Sequence, residues 1–384
     1  MKSNNPFNQL RYFKYSSFFL FLFIILSDKS LSDHLSKANK LRLDFVHNYR
    51  IYTVPESMEK LEVKPIKKFY EFKYKKQTND KIKEEINKSS VLTYLVYEKD
   101  QITIDEYNKK LINNDTKLIS HSIAKSMVSY VLAHSVCEGF VKDINQKIDD
   151  YYMLSNTLYF GQKISDLINM RAGDQDYSNF KSSEFYTKLL LQKNKSFKSN
   201  LKVDYLNTVK SKNIKYNYNH MPPDIILNYI NYKSNGNIQK ILNKTFQKAQ
   251  IKNSIFFIKD KDGFGVGAAW FYASRYDYLR IAKAILDDWK NDTCEGRYLK
   301  KIYKLKKKKS NKWNPKKIQY SASSYGGFFH FDQKGLEKKK ILAMQGHGGQ
   351  RILIDFENEK IVSIQSIRMD YNYKKLVLDP FKKN

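Results

Sequence analysis

The chain has 384 residues, 41% of them hydrophobic, and a formal charge of +30 at pH 7. That length and apolar content suit one large domain, or two closely joined ones, with a substantial buried core. The charge would ordinarily suggest nucleic acid or an anionic membrane surface. Lysine is instead spread along the whole chain among many Asn, Ile, Tyr and Phe residues, a compositional bias that argues against nucleic acid as a partner.

In chain order, Lys2, Arg11 and Lys14 precede the apolar run SSFFLFLFIILS, and Ser30-Leu31-Ser32 follows with the small residues a signal peptidase accepts. The uninterrupted core Phe18 to Leu26 is nine residues long, about half of the roughly 20 needed to span a bilayer. Residues 1–32 therefore read as an export signal, or as an N-terminal membrane tether if uncleaved, which places the protein in the periplasm or outside the cell. Residues 33–90 form a polar lead-in to a body over 91–384. Only Cys137 and Cys294 are present, so at most one disulfide can form. Cys137 lies in an apolar helical pattern where a buried free thiol is the expectation.

VLTYLVYEKDQITIDEY, from Val91, reads as two strands with a turn at Lys99-Asp100. Ile123, Met127, Val128, Val131, Leu132 and Val136 then recur at helical spacing, with Gly139 as the stop. Residues 140–260 are polar with short amphipathic segments, ISDLINM and PDIILNYI, which suits a helical subdomain. Ser274-Arg275-Tyr276-Asp277 is a capping pattern opening another helix. Ten lysines between Lys300 and Lys317 carry only Tyr298, Tyr303 and Trp313 as aromatics, and read as a solvated loop. KKILAMQGHGGQRILIDFENEKIVSIQSIR gives two β-rich runs around a turn near Glu357 to Lys360. Strands at both ends and helices between them imply one sheet assembled from the N- and C-terminal parts.

Ser-x-x-Lys occurs at Ser57, Ser122, Ser178 and Ser199, so spacing alone singles out none of them. Only Ser122 stands between a strand pair and a long apolar-faced helix. A serine hydroxyl needs a base to take its proton. Residues three apart on a helix share a face, which brings the Lys125 amine within reach of Ser122. Burial would lower that amine's pKa, and the first turn of a helix offers free N–H groups for an oxyanion. Downstream, KYNYNHMPPDIIL places Tyr216, Tyr218, Asn219 and His220 before an amphipathic helix, and MQGHGGQRILI places His347 among glycines at a strand.

With these pieces in order, the chain resembles the serine β-lactamase and penicillin-binding-protein superfamily, and within it the class C β-lactamase-related esterases and amidases of the 6-aminohexanoate-dimer hydrolase type. The likeness covers about Val91 to Ser366 and rests on SHSIAKSM, ISDLINMRAGD, YNYNH, AAWFYASRYDYLRIAKAIL, SSYGGFF and GHGGQRILIDFENEKIV. It implies an α/β fold, a β-lactamase-like antiparallel sheet flanked by helices with an inserted helical subdomain. It further implies Ser122 as acylated nucleophile, Lys125 and Tyr218 as the pair that moves its proton, and the N–H groups of Ser122 and Gln350 as oxyanion hole. Asn219, His220, His347, Gly348 and Gly349 would contact substrate. The second motif ends in His220 where the family has Asn or Ser, so either Asn219 or His220 faces the cleft. The third motif is His347-Gly348-Gly349 in place of Lys-Thr-Gly. A mostly neutral histidine holds an anion weakly, which favours an ester or ordinary amide of modest size over the substrate of a β-lactamase or D,D-peptidase. An inactive binding protein of the same fold is the alternative outside enzymes. No metal-ligand spacing and no phosphate-cradling glycine loop is present, so no metal and no cofactor are expected.

Overall fold

The computed structural model describes residues 59–75, 79–177, 196–309 and 322–382. The apolar run within residues 1–32, and with it the expected export signal, lies outside the described residues, as do Ser57 and Ser178.

Strand β1 (Lys60–Val63), strand β2 (Lys73–Tyr74) and helix α1 (Asp80–Lys88) lead into β3 (Val91–Glu98) and β4 (Gln101–Tyr107). Lys99 and Asp100 both take positive φ, 48° and 63°. That geometry makes a two-residue turn whose twist matches the paired strands, and Glu98 sits opposite Gln101. Strand β5 (Leu118–Ile119) precedes α2 (Ile123–Cys137). Helices α3 (Ile164–Ile168), α4 (Phe197–Asp204), α5 (Met221–Lys233) and α6 (Ile238–Gln247) follow. Then come β6 (Ile255–Ile258), β7 (Phe271–Ala273), α7 (Arg275–Lys290) and α8 (Cys294–Leu305). The chain closes with β8 (Lys307–Lys308), β9 (Ala322–Gly326), β10 (Phe329–Gln333), β11 (Ile341–Gly346), β12 (Gln350–Asp355), β13 (Lys360–Ser366) and α9 (Asp379–Lys382).

One sheet runs β2-β4-β3-β13-β12-β11-β10-β9-β8, antiparallel except for the β2–β4 pair. The expected junction of the two chain ends is the β3–β13 pair, Val96 opposite Val362. A second antiparallel sheet, β1-β6-β7-β5, was not visible in the sequence pattern. The large sheet is covered on both faces, which is why β3 is buried along nearly its whole length. On one face α1 and the C-terminal turns pack Ile82, Ile86, Leu376 and Phe381 against Tyr94, Ala343, Leu353 and Val362. On the other, α7 and α8 stack Trp289 on Phe356 at 3.9 Å and set Tyr303 against Phe331 at 5.4 Å.

Helix α2 is buried on every side from Ile123 to Ser135, so it is a central helix and not the one-sided amphipathic helix its spacing suggested. Several polar residues between its apolar ones find partners inside. Ser126 donates to the Phe328 carbonyl at 2.8 Å and Tyr130 to Asp288 at 2.6 Å. His134 meets Glu295 at 3.1 Å, and burial pushes its pKa down to about 4.

Two local expectations are corrected. Cys137 is not a free thiol; it is disulfide-bonded to Cys294. It is the last residue of α2, half-buried where the apolar pattern runs out, and it faces the first residue of α8. The lysine run begins as helix and strand, since Lys300 to Leu305 complete α8 and Lys307-Lys308 form β8. Residues 310–321 lie outside the described residues. Among the described residues no helix is long and apolar enough to cross a membrane.

Candidate active site

Ser122 is presented by a tight turn. Ser120 anchors the approach, its N–H donating to the Phe271 carbonyl at 2.8 Å. His121 then adopts φ 45°, a left-handed conformation that costs a non-glycine residue on the order of 1 kcal/mol. The turn reverses the chain and places Ser122 at the N-cap of α2, where its side chain makes no capping hydrogen bond. An N-cap serine commonly uses its oxygen on the helix; this hydroxyl is left for other partners. Lys125 Nζ donates to Ser122 Oγ at 3.2 Å and to the Ala268 carbonyl at 2.6 Å, and it lies 5.0 Å from the centre of the Tyr218 ring. Burial brings the lysine pKa down to about 7, partly opposed by the Asp224 carboxylate. Burial likewise pushes the Tyr218 phenol up to about 12, against the pull of its hydrogen bond to Ser122. Ser122, Lys125 and Tyr218 are therefore in mutual contact. By contrast Ser199 lies in the first turn of α4, where its hydroxyl donates to the Ser196 carbonyl at 2.9 Å, and Lys202 is exposed.

The run Tyr216-Asn217-Tyr218-Asn219-His220 alternates its sides. The two asparagines face Asp174: Asn217 Nδ2 donates to it at 2.9 Å and Asn219 Nδ2 at 2.5 Å. Asn219 also donates to the Tyr159 and Tyr205 hydroxyls, at 3.3 and 3.2 Å. Asn219, expected to contact substrate, is buried with its amide engaged by Asp174 and the two tyrosines, which makes it an anchor for this run. His220 sits on the other side with Tyr218, ring centres 6.3 Å apart, and burial and the nearby Lys125 charge hold its pKa well below the ordinary value. His220, and not Asn219, thus shares the side of Tyr218. Asp174, Tyr159 and Tyr205 were missed in the sequence; Asp174 closes the ISDLINMRAGD piece, and the alternation of YNYNH was the signal available.

Strand β11 ends against the turn before Ser122. A Cβ on Gly346 would stand 2.5 Å from the Ser120 carbonyl oxygen, so only glycine lets the strand and the turn meet. The next residue, His347, is exposed, and its ring packs edge-on to His121 at 5.6 Å. Gln350 pairs with Gly346 from the β12 side, which puts its peptide one strand, about 4.8 Å, farther from this junction. Gly348 and Gly349 make the β11–β12 turn with φ 77° and 91°. A Cβ on Gly348 would lie 2.6 Å from the Ile367 carbonyl, and Tyr371 donates to the Gly349 carbonyl at 2.5 Å. Register and turn packing thus surround Gln350, Gly348 and Gly349, while Gly346 and His347 are the residues that meet Ser120 and His121 just before Ser122. The β10–β11 ladder consists of one pair, His330 opposite Ala343, so among the described residues the last part of β11 has no partner strand on that side.

Basic groups that the sequence did not single out gather on β8 to β12. Lys309 Nζ lies 3.1 Å from His330 Nδ1, and burial, with Arg351 nearby, brings the Lys309 pKa down to about 7. The Tyr325 ring stands between His330 at 4.9 Å and Tyr218 at 6.1 Å. Among the described residues no group of three His, Cys, Asp or Glu side chains could hold a metal ion.

A serine, a buried lysine and a tyrosine at the foot of an antiparallel sheet flanked by helices define the serine β-lactamase and penicillin-binding-protein fold, and this chain has it. A protein of Bacillus anthracis assigned as a 6-aminohexanoate-dimer hydrolase is similar at TM-score 0.67 and 13% identity, over 86% of this chain and 90% of that one. A penicillin-binding protein from Bacillus halodurans is similar at TM-score 0.58 and 13% identity, over 80% and 99%. A D-stereospecific amidohydrolase from Streptomyces is similar at TM-score 0.57 and 12% identity, over 77% and 96%. By sequence the chain matches no family model and no curated protein.

Proposed function

We propose that the protein is a serine hydrolase that cleaves an ester or amide through an acyl-enzyme on Ser122. The observation that carries this reading is the buried Lys125 amine, 3.2 Å from Ser122 Oγ with its pKa brought to about 7. Near neutral pH a large fraction of the amine is unprotonated and can accept the serine proton. Tyr218, pushed up to about 12, stays protonated and is the donor of the pair. Ser122 Oγ attacks the carbonyl carbon as its proton passes to Lys125, and the leaving amine or alcohol departs with a proton relayed through Tyr218. Water then adds to the acyl-ester by the same relay, releasing the acid and restoring the serine. The oxyanion would be held by the N–H of Ser122 and, from the placement of the β11 end, that of His347.

A second reading, a D,D-peptidase or β-lactamase, is favoured by Lys309 and Arg351, basic groups that would attract a substrate carboxylate. Labelling with a fluorophosphonate probe, followed by turnover of p-nitrophenyl esters, amides and nitrocefin, tests both. We expect Ser122 to be labelled and esters or amides to be hydrolysed; rapid nitrocefin turnover would favour the second reading. Full hydrolysis by Ser122→Ala would sink the mechanism, and failure of the probe to label folded protein would leave an inactive binding protein. We also propose that the enzyme is exported. The apolar run within residues 1–32 supports this, and so does a disulfide of the kind that persists in oxidising compartments.

A further inference from the structure

We propose that Asp224 is a positioning residue for Lys125: its carboxylate fixes the Gly267–Ala268 peptide so that the Ala268 carbonyl holds the lysine amine on Ser122. The proposal rests on the reading of Lys125 as the base for Ser122. Asp224 lies in the first turn of α5, 2% exposed. One of its oxygens, Oδ1, accepts from the N–H of Gly267 at 2.7 Å and from that of Ala268 at 3.0 Å. The carbonyl of that same Ala268 receives the Lys125 amine at 2.6 Å. The path from α5 to the nucleophile is thus carboxylate, peptide, amine, hydroxyl, with no flexible side chain between the carboxylate and the lysine.

The chain carries its own control. One turn later on α5, Asn228 exchanges two hydrogen bonds with Gly265, at 2.9 and 3.0 Å. Asn228 ties down the same loop, but it has no charge and does not hold the peptide whose carbonyl meets Lys125. If the loop merely needed fastening, the two residues would be equivalent. Asp224 differs because its negative charge faces Lys125 and helps it keep a proton, against burial. The other groups around the amine are the Ser122 hydroxyl, the Tyr218 ring, His220, and His330 from β10, whose own protonation Lys125 opposes. Among these Asp224 supplies the negative charge.

The test compares Asp224→Asn, Asp224→Ala and Asn228→Ala with wild type and with Ser122→Ala, in the full chain, on a p-nitrophenyl ester. Asp224→Asn keeps an acceptor for the two N–H groups and removes the charge. The acid limb of its kcat/KM profile should move to lower pH, on the order of one pH unit. Asp224→Ala releases the peptide, so kcat and the rate of fluorophosphonate labelling should fall about tenfold to a hundredfold with KM little changed. Asn228→Ala should lower Tm and leave the acid limb where it is. If both Asp224 variants keep the wild-type profile and kcat while Ser122→Ala is inert, the proposal is overturned and the hydrolase reading stands. Hydrolysis that survives Ser122→Ala would overturn the reading beneath it.

Discussion

Burial of the Lys125 amine lowers its affinity for a proton and costs the fold free energy at the same time. The gap between about 7 in the folded protein and the ordinary 10.5 corresponds to roughly 5 kcal/mol of destabilisation below pH 7. Between those two values the unfolded chain binds more protons than the folded one, so this group's cost shrinks as pH rises through that window. Lys125→Met should therefore abolish hydrolysis and stabilise the protein at pH 6 to 7. The expected gain is about 2 to 4 kcal/mol, once the Ala268 carbonyl loses its donor. Urea denaturation of the two proteins at pH 6 and pH 10 checks it: the difference should narrow toward pH 10, and a variant less stable than wild type at pH 6 would contradict it. Activity has the matching sign, with kcat/KM rising as pH climbs through about 7 and Lys125 loses its proton.

At the scale of the element, the start of α5 and the end of β11 bring the site together. The start of α5 delivers Tyr218, His220 and, one turn on, Asp224. The end of β11 reaches Ser120 only because Gly346 has no side chain. Gly346→Ala should displace that junction, with the Ser120 carbonyl 2.5 Å from the new carbon. We expect hydrolysis to fall about a hundredfold while circular dichroism stays native; unchanged kcat would show that the strand end is not part of the site. The same elements show what a sequence discloses. The β3–β4 hairpin, α2 and the Ser274-capped α7, where Ser274 accepts from the Asp277 N–H, were legible because each rests on local chemistry: turn residues, 3.6-residue spacing, a side-chain cap. The grouping of Ser122, Lys125 and Tyr218 was legible for the same reason, as short motifs beside such elements. The surroundings of Asn219 and Gln350 were not legible, because they depend on which side of an extended run faces inward and on strand register. Asp224 was not singled out, because the peptide it holds, Gly267–Ala268, lies 43 and 44 residues farther along the chain. The β11–β12 division was hidden by apolar residues on both sides of His347-Gly348-Gly349.

For the whole molecule, the Cys137–Cys294 bond joins residues 157 apart, fastening the far end of α2 to the start of α8. Closing a loop of that length removes conformational freedom from the unfolded chain worth about 5 kcal/mol at most. A Cys137→Ser, Cys294→Ser pair should lower Tm and the urea midpoint by a corresponding amount and leave the acid limb of kcat/KM in place. An equal Tm for the double variant and the oxidised protein would count against a stabilising role. The two cysteines also bracket a single stretch of chain. Ser122 and Lys125 lie before it, and Tyr218, His220, Asp224 and Ala268 all lie within it. Its ends are welded to each other whatever the middle becomes. Within that stretch, insertion, deletion or exchange is tolerable only in segments that leave Tyr218, Asp224 and Ala268 where they meet Ser122 and Lys125. In an evolving lineage that would confine drift to the segments between those fixed residues.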